Sequence, residues 1–215
     1  MLLNLKLDNK TVLIIGGGKV SEEKAKKFLE AGSKVIVVSK SFTSGLESLR
    51  EKVKLLESEV TPSTIDQFIP ESDLIIAATD DRKLNRMIVE ESKKKKILAC
   101  AVDDQSIGDF SVPAILRKGS IEIAISTGGK SPAMAKILRE KVDKIITEED
   151  ILHVELQDYA RKIAKAKIQD LESRKEILYQ IIHDRDIRSL LLAGKLNEAK
   201  IIAEQIIEEK SIENR

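Results

Sequence analysis

Five short apolar runs punctuate the first hundred or so residues: Thr11 to Ile15, Lys34 to Val38, Val53 to Leu56, Asp73 to Ala78 and Ile97 to Val102. Most of them end at a polar or glycine-rich tip. A run that is apolar at every position, rather than at alternate ones, suits a strand covered on both faces. Helical patterning separates several of these runs. Ser21 to Ala31 carries Ala25, Phe28 and Leu29 at helical spacing and stops at Gly32, and Lys83 to Lys95 precedes the fifth run. A turn at Pro62 and a helix-like Ser63 to Phe68 lead into the fourth. Strand and helix in alternation predict a parallel sheet with crossover helices, a Rossmann-type α/β layout.

The pattern changes after Asp109-Phe110. Ser111 to Arg117 and Ser120 to Ser126 read as two strands joined at Lys118-Gly119, a hairpin rather than another βαβ unit. The turn Ser126-Thr127-Gly128-Gly129-Lys130-Ser131-Pro132 follows, and a helix over Pro132 to Ile146 starts with Ser131 as N-cap and Pro132 in its first position. Thr147-Glu148-Glu149-Asp150 reads as a further helix start, and Ile151 to Arg215 has the spacing of amphipathic helices. The expected organisation is a Rossmann domain over 1–112, a small α+β domain over 113–146 and a helical domain over 147–215, packed on one another.

With 37 basic against 36 acidic side chains, the chain has no global field to draw in nucleic acid or an anionic membrane, so a small-molecule partner is expected. Cys100 is the only cysteine, which excludes an intrachain disulfide or a zinc cage of thiolates and fits a reducing cytoplasm. Met1 to Leu7 does not read as a signal peptide, and no apolar run reaches membrane-spanning length.

The chemistry starts at Gly16-x-Gly18-x-x-Ser21, between the first strand and the first helix. This is a variant of the dinucleotide fingerprint, with a small residue in the third place. Glycines there let a pyrophosphate approach the backbone, and the helix N-terminus favours the anion. An Asp or Glu at the end of strand two would grip the ribose of NAD. Val37-Val38-Ser39-Lys40-Ser41 has none, and Lys40 could instead attract a 2'-phosphate, which leaves NAD and NADP both open. Thr79 and Asp80 follow the fourth run, where open α/β sheets bind ligands, while Asp81 reads better as a helix cap. Asp103, at the tip of the fifth run, could take or give a proton as a hydride leaves; the plainer reading is a loop aspartate serving a turn.

In order along the chain stand Gly-Gly-Gly-x-Val with a Lys-bearing helix, Ala77-Ala-Thr-Asp-Asp81 with Leu84-Asn85, Val102-Asp103-Asp104, Asp109-Phe110 with Pro113-Ala114, and Ile125-Ser-Thr-Gly-Gly-Lys-Ser-Pro132 with Leu138-Arg139. This series resembles the dehydrogenase module of the siroheme synthase family. The likeness covers residues 1 to about 145 with specific motifs, and the helical remainder by length and character. It implies a precorrin-2 dehydrogenase that oxidises precorrin-2 to sirohydrochlorin with NAD+ as hydride acceptor. Some members also insert ferrous iron. Carried over by position, Gly16, Gly18, Lys19 and Val20 hold the pyrophosphate, Ser39, Lys40 and Ser41 lie along the adenosine ribose, and Thr79 and Asp80 flank the other side of the cofactor. The family lacks the acid after strand two, which favours NAD. Asp103 matches the aspartate implicated in dehydrogenation and chelation, as general base. The hairpin and the turn before Pro132 match a dimerisation domain, so a homodimer is expected.

The chain departs from the family at two places: Cys100 stands where Asn is usual, and Ser21 where Ala follows the glycines. Both read as small residues in packed positions. A substrate with many carboxylates calls for a basic rim, for which Lys130, Arg117 and Arg139 are candidates; the Lys93 to Lys96 run reads as a solvated face. His153 and His183 have no partner at metal-ligand spacing, which leaves any metal site unassigned. The rival reading is a non-catalytic NAD-sensing module, which would tolerate Asn at position 103; another is a dehydrogenase of a different substrate.

Overall fold

The computed structural model describes residues 2–61 and 63–213. The turn expected at Pro62 lies outside them, as do Met1 at the start of the chain and Asn214 and Arg215 at the end of the helical tail. The chain divides between Val112 and Pro113 into two compact units.

The first unit is a five-stranded sheet in the order β3-β2-β1-β4-β5. Its strands are β1 (Thr11–Ile15), β2 (Lys34–Ser39), β3 (Val53–Glu57), β4 (Leu74–Ala77) and β5 (Leu98–Ala101). All four pairings are parallel. The continuous apolar runs are explained by two cores. Leu13 and Ile15 of β1 pack into one, with Ile75, Ile88 and Val89, while Val12 and Ile14 pack into the other, with Ala25, Phe28 and Ile76. Each fully buried Leu or Ile contributes about 1.5–3 kcal/mol, so both faces of the sheet hold the unit together. Helix α1 (Lys19–Glu30) returns β1 to β2 and ends at Gly32, whose φ of 81° is the left-handed conformation a glycine supplies. A short α2 (Ser44–Glu47) follows β2.

Helix α3 (Arg82–Lys94) connects β4 to β5 and is capped by Asp81, whose carboxylate accepts from the Lys83 and Leu84 amides. Its inner face buries Asn85, Ile88, Val89 and Ser92, two of them polar. The helix expected over Ser63 to Phe68 is instead two 3₁₀ turns, Ile65–Gln67 and Ile69–Glu71. Ile65 and Ile69 are both buried, and Pro70 in the second turn cannot donate to a longer helical ladder.

In the second unit, β6 (Ala114–Lys118) and β7 (Ile121–Ile125) form an antiparallel hairpin through Gly119. Helix α4 (Pro132–Asp143) is capped by Ser131 and ends three residues before the expected boundary. There the Lys118 ammonium donates to the Asp143 and Ile146 carbonyls at 2.8 Å each, a cation satisfying the orphan acceptors of a helix C-terminus. Helices α5 (Glu148–Lys167), α6 (Leu171–His183), α7 (Arg185–Leu192) and α8 (Leu196–Glu213) enclose a third core. Alanines 160 and 164 of α5 and 199 and 203 of α8 are buried there and let helix backbones approach. Thr147 and Asp150 make a reciprocal capping box at the start of α5. Among the described residues, no helix is long and apolar enough to cross a membrane.

Candidate functional site

The strand order reverses direction on either side of β1, and ligands of open α/β sheets bind at the carboxyl edge beside such a switch point. A cleft of about 1210 Å³ opens there, larger than the roughly 300–1,000 Å³ that drug-sized ligands occupy. It is lined by the turn from β1 into α1, by the ends of β2 and β3, and by the loop after β4. Gly16, Gly18, Lys19, Val20, Ser39, Lys40, Ser41, Thr79 and Asp80 all line it. Asp103 does not, although its neighbour Val102 does.

The glycines of the β1–α1 turn serve different ends. A Cβ on Gly16 would stand 2.3 Å from the Ala78 carbonyl oxygen, and its φ of 124° is one that side chains rarely adopt. A Cβ on Gly17 would stand 1.8 Å from the Ser41 carbonyl oxygen. The fold itself therefore requires both. Gly18 differs: its φ of −82° suits any residue, and a Cβ there would meet nothing within 4 Å. It is the N-cap of α1 and offers no side chain to the first-turn amides, so a helix N-terminus faces the cleft across open space. An anion held by those amides explains a glycine that the protein's own packing does not. The residues present fit a dinucleotide.

Val20, in the first turn, is 46% exposed on the cleft wall. Glu22 would bring negative charge to the same turn, but its carboxylate accepts from Lys26 Nζ at 2.5 Å and Thr43 Oγ1 at 2.8 Å, which turn it aside. These two hydrogen bonds, Lys26 foremost, hold its carboxyl below the usual range. At the β2 end, Lys40 Nζ lies 2.6 Å from Glu59 Oε1, and both line the cleft. Sequence reasoning missed Glu59. It stands in a loop after β3, and only the parallel pairing of β2 with β3 brings it to Lys40.

On the other side, Asp80 is exposed, whereas the Thr79 hydroxyl is committed to the protein itself. Its hydrogen goes to Asn85 Oδ1 at 2.7 Å, and it accepts from the Asp81 amide at 3.2 Å. Asn85 Nδ2 in turn donates to Asp103 Oδ1 at 2.8 Å. Asn85 was legible only as part of a motif, yet a polar residue on the apolar face formed by Ile88 and Val89 is itself a signal. Asp104, next in the chain, accepts from the Ser106 hydroxyl and amide, and these bonds hold its carboxyl low with Arg86 nearby.

The remaining candidates lie elsewhere. Cys100 is buried in β5, and burial pushes its thiol up to about 11, as expected of a packed residue. Ser21 is fully buried and its hydroxyl has no partner among the described residues. In the second unit, Arg117 pairs with Glu122 across the hairpin at 2.6 Å, Arg139 lies 3.8 Å from Glu140, and Lys130 is exposed. His183 is exposed, His153 is partly buried, and no group of three or more potential ligands stands at metal-holding geometry among the described residues.

Two family models match the chain. One, described as putative NAD(P)-binding, covers residues 3–114, and the other, described as sirohaem biosynthesis protein central, covers residues 118–144. The chain is 29% identical over 208 residues to siroheme synthase 3 of Aeromonas hydrophila subsp. hydrophila, a match spanning 96% of this chain and 44% of that protein. It is 31% identical over 207 residues to siroheme synthase 2 of Yersinia enterocolitica, spanning 95% and 42%. The chain thus spans less than half the length of these relatives. Among solved structures, one titled SirC, precorrin-2 dehydrogenase superposes with a TM-score of 0.75 at 22% identity, covering 95% of this chain and 99% of that one. That likeness is one of fold, and it extends through both units. With an NAD(P)-binding model over the sheet and a sirohaem-biosynthesis model behind it, the chain belongs to the siroheme synthase N-terminal family.

Proposed function

We propose that this chain is a precorrin-2 dehydrogenase, which converts precorrin-2 and NAD+ to sirohydrochlorin, NADH and a proton. The observation that carries the reading is Gly18, an N-cap left bare above an open cleft, with a carboxylate, Asp103, after the next strand but one. Bound NAD+ accepts the hydride. The first-turn amides of α1, with Gly16, Gly18, Lys19 and Val20, hold its pyrophosphate. Ser39, Lys40 and Ser41 lie along the adenosine ribose, and Thr79 shapes the opposite wall beside Asp80. Asp103 takes the proton that leaves the macrocycle with the hydride. Because Lys40 is tied to Glu59, the cation that a 2'-phosphate needs is already matched by a carboxylate, which favours NAD over NADP.

The regions 113–146 and 147–215 are proposed as dimerisation and helical domains. A second copy is the proposed partner because α4 buries only Ala135 and leaves Met134, Ile137 and Leu138 exposed on one stripe. Lys130, Arg117 and Arg139 are proposed for the substrate's carboxylates. Cys100, unpaired and buried, fits a cytoplasmic protein. Ferrous iron would be a second substrate, tested by adding it once sirohydrochlorin has formed and following siroheme absorbance.

The deciding experiment is anaerobic incubation with precorrin-2 and NAD+, following NADH and sirohydrochlorin absorbance, beside Asp103→Asn. Turnover by the wild type and a loss of roughly 10²-fold or more in the variant are expected for a general base. NAD+ binding without turnover would turn the reading to an NAD-sensing module.

A further inference from the structure

Asn85 is a polar side chain with no exposure, one turn into α3 between β4 and β5. Every hydrogen-bonding position of its amide that a geometry can reveal is used. Oδ1 accepts from the Thr79 backbone N–H at 3.1 Å and from the Thr79 hydroxyl at 2.7 Å. Nδ2 donates to the Thr79 carbonyl at 3.0 Å and to Asp103 Oδ1 at 2.8 Å. The Thr79 backbone fixes which end of the amide is oxygen, because its N–H can only donate and its C=O only accept. The remaining Nδ2 hydrogen therefore has one direction, and the Asp103 carboxylate lies along it. The exchange is directional in the other sense too: a carboxylate can accept from this amide, whereas an amide at position 103 could offer its own N–H there.

We infer that Asn85 is a positioning residue, which uses the backbone of Thr79 on the cleft wall as a template to orient the Asp103 carboxylate. The inference rests on the dehydrogenase reading and deepens it. With Oδ1 anchored to a buried amide, the rotation of an otherwise exposed aspartate is restricted and the same oxygen is always the occupied one. Oδ2 is left to meet the substrate proton. The device also links the two walls of the site, since Thr79 lines the cleft and Asp103 stands just outside its lining. The cost of burying an amide is offset only while all four of these bonds are made.

Asn85→Asp keeps the oxygen that accepts from the Thr79 N–H and sets a second oxygen against both the Thr79 carbonyl and Asp103, so a thermal melt of the variant beside the wild type establishes that it is folded before its kinetics are read. The charged side chains of the segments that meet here are Asp80 and Asp81 after β4, Arg82, Lys83 and Arg86 on α3, and Asp103 and Asp104 after β5. Asp81 is engaged by the α3 amides, and Arg86 is 3.8 Å from Asp104. The new carboxylate thus stands against Asp103 without a cation recorded between them. With the purified 215-residue chain, kcat should fall roughly ten- to a hundredfold, while KM for NAD+ should change less than about threefold. The acid limb of the kcat profile should move up by about one pH unit. A second measurement needs neither substrate nor a variant at position 85: in the ¹H–¹⁵N spectrum, Asp103→Ala should shift one side-chain amide proton of Asn85, the one not held by Thr79. Wild type that never oxidises precorrin-2 overturns the dehydrogenase reading and the role built on it. Competent wild type with an indifferent Asn85→Asp, or with Asn85 amide protons that ignore Asp103→Ala, overturns the positioning role alone.

Discussion

Two glycines with a single residue between them have opposite reasons for being glycine, and that difference can be measured. Gly16 is demanded by the fold: the Ala78 carbonyl leaves no room for a Cβ, and the backbone is in the left-handed half of conformational space. Gly16→Ala should destabilise the first unit by about 2 kcal/mol or more, through strain and displacement of the β4 end. Gly18 is not demanded by the fold, and on the proposed reading the bound dinucleotide demands it. Gly18→Ala should keep folding stability within about 0.5 kcal/mol, as for a substitution that touches nothing. If the proposed cradle holds the pyrophosphate, affinity for NAD+ should nevertheless fall tenfold or more, because the added methyl enters the open space beside the α1 amides. Thermal melts beside NAD+ titrations test both, and unchanged affinity in Gly18→Ala would remove the cradle from the argument. The fingerprint was legible because both reasons select the same residue type. Glu59 and Asn85 were not legible as site residues, since each acquires its role from a partner far away in sequence: Lys40 across β2–β3, and Asp103 across the α3 crossover.

At the scale of elements, local signals gave what local forces decide. Asp81, Ser131 and Thr147 cap helices where their sequence context predicts, because a cap involves neighbours only three residues away. Helix α1 begins at Lys19 rather than Ser21, since a bare glycine cap leaves no side chain to mark the start. The 3₁₀ turns at 65–71 replaced the expected helix because burial of Ile65 and Ile69 fixes a chain too short to hold a regular ladder. Helix α4 raises the opposite question, since its outward stripe of Met134, Ile137 and Leu138 is apolar without being buried in the single chain. If that stripe is a dimer seam, Leu138→Glu should convert the dimer to monomers in light scattering. Unfolding of the monomer should change by less than about 1 kcal/mol, because Leu138 is 37% exposed and belongs to none of the buried cores. A monomeric wild type would sink the seam.

For the whole molecule, the balance of charge and the placement of shifted groups predict a broad plateau of stability with acid and alkaline edges. Glu22, Asp73, Asp104, Asp150 and Asp170 all have carboxyls held low, by Lys26, Lys10, Ser106, Thr147 and Ser173 respectively as the leading cause. A carboxyl that ionises more readily when folded stabilises the fold above its ordinary value, and that contribution disappears as pH falls through the folded one. Acid therefore weakens both units from about pH 4 downward. Protonating the 36 acids also leaves 37 basic side chains unopposed, which adds repulsion in the same range. At the alkaline edge the signs reverse. The Cys100 thiol, raised by burial to about 11, and the Tyr159 hydroxyl, raised by its hydrogen bond to Glu204, stabilise the fold while protonated, and lose that contribution as pH rises through their folded values. Between these edges the five carboxyls, the Cys100 thiol and the Tyr159 hydroxyl keep their protonation states, and Lys24, whose ammonium burial disfavours, is the one shifted group that moves toward this range, so the thermal midpoint should stay flat from about pH 5 to 8. Asp170→Asn isolates one part of the acid edge. Asparagine caps a helix about as well as aspartate, so the midpoint at pH 7 should hardly move. Below pH 4 the variant has no proton to gain at position 170, and its midpoint should fall less steeply than that of the wild type. Circular dichroism melts from pH 2 to 10 measure both curves. Parallel acid limbs would mean that the α6 cap contributes nothing to acid sensitivity, and a midpoint sloping between pH 5 and 8 would require Lys24 or a group outside this set to titrate there.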